Sequence, residues 1–196
     1  MNIKLNEKEL DLKFDNEITI GDVLGNIEAA CREKKNTITQ VYADGKALTI
    51  NELDELFQKP IQNDLNIELF TTSGNDVREF LKELGKEFIK DAEKIEGIPL
   101  QVQTGNSTDV LKVIEEFSLN LTKFYETAKL FDIADISEDF TFGEKKLSEY
   151  QKEISSNLDA IINAIENTDT VEISDLAEYE LAPLVKELGN SLLSIS

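Results

Sequence analysis

Hydrophobic periodicity changes once along this chain, near residue 73, and that change limits what the chain can fold into. Before it, apolar residues alternate in steps of two around one helical stretch. After it, they recur in steps of three and four for about 120 residues. Steps of two put every second side chain on one face of a strand, and steps of three and four draw a stripe along a helix. The first part reads strand, strand, amphipathic helix, strand, helical turn, strand. The expected fold class is α+β, with a sheet domain over residues 1–72 followed by an all-α four-helix bundle over residues 73–196. Of 196 residues, 40% are apolar, so each part can build a core without staples.

Ile3 and Leu5 alternate with polar neighbours, as do Leu10, Leu12 and Phe14, and Asn6-Glu7-Lys8-Glu9 forms the polar turn between them. This pattern predicts a hairpin with one buried face. Thr19-x-x-Asp22 has capping-box spacing, with a hydroxyl placed to accept a helix N–H. Val23, Leu24, Ile27, Ala30 and Cys31 then form the face that packs on the sheet. Gly25 costs about 1 kcal/mol against alanine inside a helix, so it marks either close packing or a tolerated weakness. Val41-Tyr42-Ala43, the turn dipeptide Asp44-Gly45 and Lys46-Ala47-Leu48 predict a second hairpin. Asn51 is the expected cap of a helical turn over 52–57, which Pro60 ends. Leu65, Ile67 and Leu69 mark the last strand.

These elements, together with Met1-Asn2-Ile3, the Thr19-Ile20-x-x-Val23 helix entry, Tyr42 to Leu48 and Asp64 to Leu69, resemble the ubiquitin family over residues 1–72. The resemblance implies a β-grasp, a sheet gripping one helix. Ubiquitin-like modifiers end in a diglycine tail. Here the last strand runs on into Thr72-Ser73-Gly74-Asn75 and helical sequence, so conjugation is not expected. The family often binds partners through the exposed sheet face. The matching positions are Tyr42, Asn66, Glu68 and Phe70, two aromatic and two polar. Ordinary solvent-facing strand residues would look the same.

Ser73-Gly74-Asn75 reads as a hinge and helix cap, and Val77, Leu81, Leu84, Phe88 and Ile95 predict a helix to about residue 96. Gly97-Ile98-Pro99 is expected to break it, leaving an irregular connector over 98–106. A second helix, capped by Ser107 or Thr108, carries Val110, Ile114, Phe117, Leu121, Phe124, Ala128 and Phe131. A loop over 132–143 holds Asp132, Asp135, Glu138 and Asp139. The acid spacing and sixth-position glycine of a calcium loop are absent there, so no calcium site is expected. The third helix runs from about residue 144 to 167. The fourth carries Ile173 to Ile195 with Pro183 inside it, which predicts a kink at residues 179–183 that either shapes a groove or wraps the helix around the core. Residues 175–184 also resemble a stretch of bacterial proteins of uncharacterised role.

Charge and missing chemistry narrow the function. Forty acidic residues against 20 basic ones give a net charge of −20. Such a surface repels nucleic acid and anionic membrane, and it suits a basic protein partner or simple solubility. Residues 153–196 carry nine acids and one lysine, Lys186. No histidine is present, which removes the usual general base and imidazole metal ligands. A single cysteine, Cys31, builds neither a disulfide nor a thiolate zinc site. Its place on the first helix's apolar stripe predicts a buried thiol. No phosphate-binding loop appears.

The expected protein is a non-catalytic adaptor or assembly factor that binds an unidentified protein and needs no cofactor or metal. Its docking surface is either the sheet face (Tyr42, Asn66, Glu68, Phe70) or the kinked fourth helix (Tyr179). The alternative is a bacterial export chaperone, of flagellar type, that cradles an amphipathic client segment. A third reading is a metal-assisted enzyme using carboxylates alone. The broad helical seams are compatible with a homodimer. No apolar run reaches the ~20 residues that span a bilayer, and nothing near Met1 resembles a secretion signal, so the expected location is cytoplasmic.

Overall fold

A computed structural model describes residues 1–11, 18–62, 64–104, 107–137 and 139–195. The architecture is α+β, a sheet at the N-terminal end followed by helices. The chain divides into two units. The first is Met1–Asp76 with Ile133–Asp135, and the second is Val77–Asp132 with Ile136–Ser196.

In the first unit, β1 (Asn2–Leu5) pairs with β2 (Lys8–Glu9) across a two-residue turn at Asn6 and Glu7. Both turn residues have positive φ, 47° and 69°, the geometry that matches the twist of a tight hairpin. Leu12 and Phe14, expected in the second strand, lie outside the described residues. Helix α1 (Ile20–Arg32) starts at the expected capping box: Thr19 accepts from the Asp22 N–H, and the Asp22 carboxylate accepts from the Thr19 N–H. Strands β3 (Asn36–Ala43) and β4 (Lys46–Ala47) turn at Asp44-Gly45, again both at positive φ. Helix α2 (Ile50–Phe57) is capped by Thr49, not Asn51. Thr49 is the residue three before Glu52, so it completes a capping box that Asn51 cannot. Strand β5 (Asn66–Ser73) closes the sheet.

The sheet order is β2-β1-β5-β3-β4. β5 lies parallel to β1 and antiparallel to β3. Residues at alternate positions of the central strands, Ile3, Ile67 and Leu69, turn inward and pack with Ile20, Val23, Leu24, Ile27, Cys31 and Leu56. This one-faced core is what alternation in steps of two dictates.

The helix cap expected at Ser73-Gly74-Asn75 is present. β5 ends at Ser73, and α3 (Gly74–Glu96) begins at the next residue. The Ser73 hydroxyl accepts from the Asp76 N–H, and Asp76 accepts from the Ser73 N–H and hydroxyl. In the second unit a further helix, α4 (Ile98–Gln103), stands where an irregular connector was expected. Pro99 sits in its first turn, where a missing N–H costs nothing, so the proline that ends one helix starts the next. Helix α5 covers Ser107–Ala128.

The expected loop over 132–143 ends in a small hairpin, β6 (Thr141–Phe142) and β7 (Lys145–Lys146), which precedes α6 (Leu147–Glu166). Glu138 of that loop lies outside the described residues. The expected fourth helix is three pieces: α7 (Thr170–Asp175), a π-helical turn (Leu176–Leu181) and α8 (Ala182–Leu193). The helical region therefore has six α-helical segments among the described residues, and the four-helix bundle expected from the sequence is corrected. Rings fill its core: Phe88 meets Phe117 and Phe124 edge-on at 6.0 and 5.8 Å, and Phe124 meets Phe142 at 5.9 Å. Among the described residues no helix is long and apolar enough to cross a membrane.

Candidate functional site

Register decides which strand residues share a face. Val41 lies opposite Leu69 and Ala43 opposite Ile67, on the side that carries the core. Tyr42 opposite Glu68 and Gln40 opposite Phe70 therefore fall on the outer side. The structure brings Tyr42, Asn66, Glu68 and Phe70 together on that face, as the alternation predicts.

The four are not equivalent. The Tyr42 and Phe70 rings meet edge-to-face, with centroids 5.6 Å apart, and both side chains are half-buried. Such a diagonal cross-strand pair stiffens the sheet and leaves apolar area toward solvent. Glu68 forms an ion pair with Lys4 of β1 at 3.7 Å. Asn66 works locally: its backbone and side-chain N–H groups both donate to Asp44 Oδ1, at 3.1 and 3.3 Å, and pin the Asp44-Gly45 turn. The face thus carries an aromatic centre with an ion pair beside it.

Tyr179 belongs to the second unit, on the π-helical turn, and is 65% exposed. The negative charge of Glu178 raises its hydroxyl pKa, and a hydrogen bond to the same carboxylate adds to this. The π-turn answers the expected kink. The Ala182 N–H donates to the Ala177 carbonyl five residues back, so the chain widens by one turn just before Pro183 and the proline enters the first turn of α8. A polar groove of about 410 Å³ lies at this junction, between α6 and α8, lined by Glu153, Asn157, Glu180, Pro183 and Glu187. Lys145 bridges its two walls, to Glu153 at 2.6 Å and Glu187 at 3.9 Å.

A second groove was not anticipated. It lies in the first unit between α1, α2, β3 and β4, with a volume of about 560 Å³. Leu24, Ile38, Val41, Leu48, Leu53 and Phe57 make it largely apolar. Gly25 gave the one sequence signal, because a Cβ added there meets nothing within 4 Å. The weakness in α1 is an opening and not a close contact.

Cys31 and Asp91 are buried titratable groups outside these surfaces. Cys31 is buried, and desolvation raises its thiol pKa, aided by the nearby Glu28 charge. That leaves the thiol protonated and unreactive near neutral pH. Asp91 is buried on α3 and accepts from the Asn120 amide of α5 at 2.8 Å; burial raises its pKa. Among the described residues no group of three acidic or thiol side chains is placed to hold a metal ion.

Comparison with known proteins divides the chain in two. Residues 1–73 match the family described as "TP0873 N-terminal domain". Residues 79–191 match "Domain of unknown function (DUF8042)". A protein of Treponema pallidum (strain Nichols), described as "Uncharacterized protein", is 37% identical over 193 residues, which cover 98% of this chain and 96% of the relative. No solved structure matches the chain.

Proposed function

This chain belongs to the DUF8042 family, with a TP0873 N-terminal domain ahead of that domain, and from that premise we propose a non-catalytic protein that binds another protein through its N-terminal sheet. The N-terminal unit is read as a ubiquitin-like β-grasp. The sheet order β2-β1-β5-β3-β4, with parallel β1 and β5 at its centre and α1 packed on one face, supports that reading.

The observation that carries the binding role is the Tyr42–Phe70 pair on the outer face. Two half-buried rings in edge contact give a rigid apolar centre that loses little conformational entropy on docking, which suits a binding hot spot. The composition is compatible with this: the chain has no histidine, and its one cysteine is buried.

The test is capture from the native cell at natural expression, with wild type compared against a Tyr42→Ala, Phe70→Ala double variant. A stoichiometric protein partner retained by wild type and lost by the folded variant supports the proposal. A partner retained equally by both would move the binding surface elsewhere and end this reading.

A further inference from the structure

We propose that the apolar groove of the first unit docks an amphipathic, lysine- or arginine-bearing segment of a partner protein. This inference rests on the reading that the protein works by binding proteins. The groove opens on the side of the sheet where Leu69 lies and α1 packs, and Tyr42 of the outer aromatic pair stands at its border.

Three features select the occupant. The floor and walls are apolar, from Leu24, Ile38, Val41, Leu48, Leu53 and Phe57, so apolar side chains must enter. The two helices that wall the groove are acidic. α1 carries Asp22 and Glu28 against Arg32, and α2 carries Glu52, Asp54 and Glu55 with no base. β3 has no charged residue, and the one base of β4, Lys46, is paired with Glu52, so the acidic excess of this wall lies on Asp54 and Glu55. An apolar slot between acidic helices complements a segment whose leucine-like side chains alternate with cations, and it repels an acidic one. The third feature is Gly25, whose missing side chain leaves the helix backbone open to the groove and lets an occupant approach closely.

The mode of docking follows from Glu28. Its carboxylate accepts from the Ile38 N–H at 2.8 Å and from the Thr37 hydroxyl at 2.6 Å, and it pairs with Arg32. It stands where the carbonyl of an added strand would stand, so this edge of β3 is closed to strand addition at Ile38. The occupant therefore docks by its side chains and not by extending the sheet.

The experiment uses the full chain and two synthetic peptides, one alternating leucine and lysine, the other leucine and glutamate, followed by fluorescence anisotropy and by amide chemical shifts. Gly25→Leu fills the groove at a position with free space, and leucine favours helix more than glycine does. An Asp54→Lys, Glu55→Lys variant reverses the charge of one wall. The expected result is binding of the leucine–lysine peptide with shifts confined to α1, α2 and β3. Each variant should weaken it by at least about tenfold, and the glutamate peptide should not bind. Binding undiminished by Gly25→Leu, shifts centred elsewhere, equal binding of both peptides, or no binding at all would each overturn the inference. Because Tyr42 borders the groove, the two readings are separated by Gly25→Leu: failure here with the cellular partner lost in the outer-face variant and kept by Gly25→Leu would sink the groove alone, and peptide binding as expected with the partner kept by the outer-face variant would sink the outer-face reading alone.

Discussion

Gly85 and Gly189 face each other where α3 and α8 cross. A Cβ added to Gly85 would lie 2.7 Å from the Gly189 carbonyl oxygen, and one added to Gly189 would lie 2.9 Å from the Gly85 carbonyl oxygen. The contacts are backbone on backbone, so no side chain can swing aside to make room. Either glycine replaced by alanine must push the helices apart over the Phe88 and Leu192 packing. We expect Gly85→Ala and Gly189→Ala each to destabilise the protein by about 1–3 kcal/mol, despite the gain in helix propensity. Urea unfolding would measure it, and an unchanged midpoint for both would show that the crossing is looser than its geometry.

Gly25 is the opposite case on α1. It sits inside a helix, its Cβ position is empty, and no positive φ requires glycine. Gly25→Ala should therefore stabilise by about 0.5–1 kcal/mol. The measurement is the same unfolding curve, and a fall in stability would mean that the groove closes on this residue in solution.

Much of the sheet unit was legible because its signals are local. Thr19-x-x-Asp22 could be read as a cap from four residues, and Asp44-Gly45 as a turn from two. Asn51 misled because it is a good cap by type, while the box is completed by Thr49 and Glu52, a relation three residues long. The helical region was less legible for the same reason in reverse. Pro99 reads equally as the end of one helix and the start of another, and only the packing of α4 on α7 chooses. The hairpin at Thr141–Lys146 has two-residue strands, too short for a periodic signal. It is held by Phe142, which is buried among rings, and by the Tyr150 hydroxyl, which donates to the Phe142 carbonyl at 2.9 Å. Pro183 announced a distortion, and the chain absorbs it as a π-turn. On the site itself, the resemblance to the ubiquitin family's sheet face singles out Tyr42 and Phe70, and the strand register places them on one face. The groove was not legible, because its lining comes from five elements that only the fold assembles.

The Asp91–Asn120 pair sets a pH dependence. Burial is the main reason that the Asp91 pKa is raised in the folded protein; the Asn120 hydrogen bond opposes it. A raised carboxyl pKa means that the folded state holds the proton more tightly than the unfolded chain. This group's stabilising contribution is full below the unfolded value of 3.8 and is lost as the pH rises through the folded value. At neutral pH the buried charge is a burden. Asp91→Asn should raise the melting temperature at pH 7 and lose that advantage in acid. Asp91→Leu strands the Asn120 amide and should cost about 1–3 kcal/mol. If the two substitutions destabilise equally at pH 7, the carboxylate is needed in its charged form and this account is wrong.

The capping box of α2 titrates in the other direction. Glu52 accepts from the Lys46 ammonium and from the Thr49 N–H and hydroxyl. These bonds, the lysine's first, hold its pKa down from 4.5 to about 2. A depressed carboxyl pKa contributes stability above the unfolded value, and the contribution disappears as the pH falls from 4.5 toward 2. Glu52→Gln removes the titration, so its stability should fall less steeply than that of wild type across that window. Near neutral pH the difference should be small, because the lysine pair is exposed and screened by solvent. Thr49→Ala removes the hydroxyl that accepts from the Glu52 N–H and donates to the Glu52 carboxylate, and it should cost about 1 kcal/mol near neutral pH and less in acid, where Glu52 is protonated. Because α2 walls the apolar groove, the same Thr49→Ala change should loosen that wall. Amide exchange along Ile50–Phe57 should then quicken before exchange in β5 does. Exchange that quickens uniformly across the unit would show that α2 has no local stability of its own.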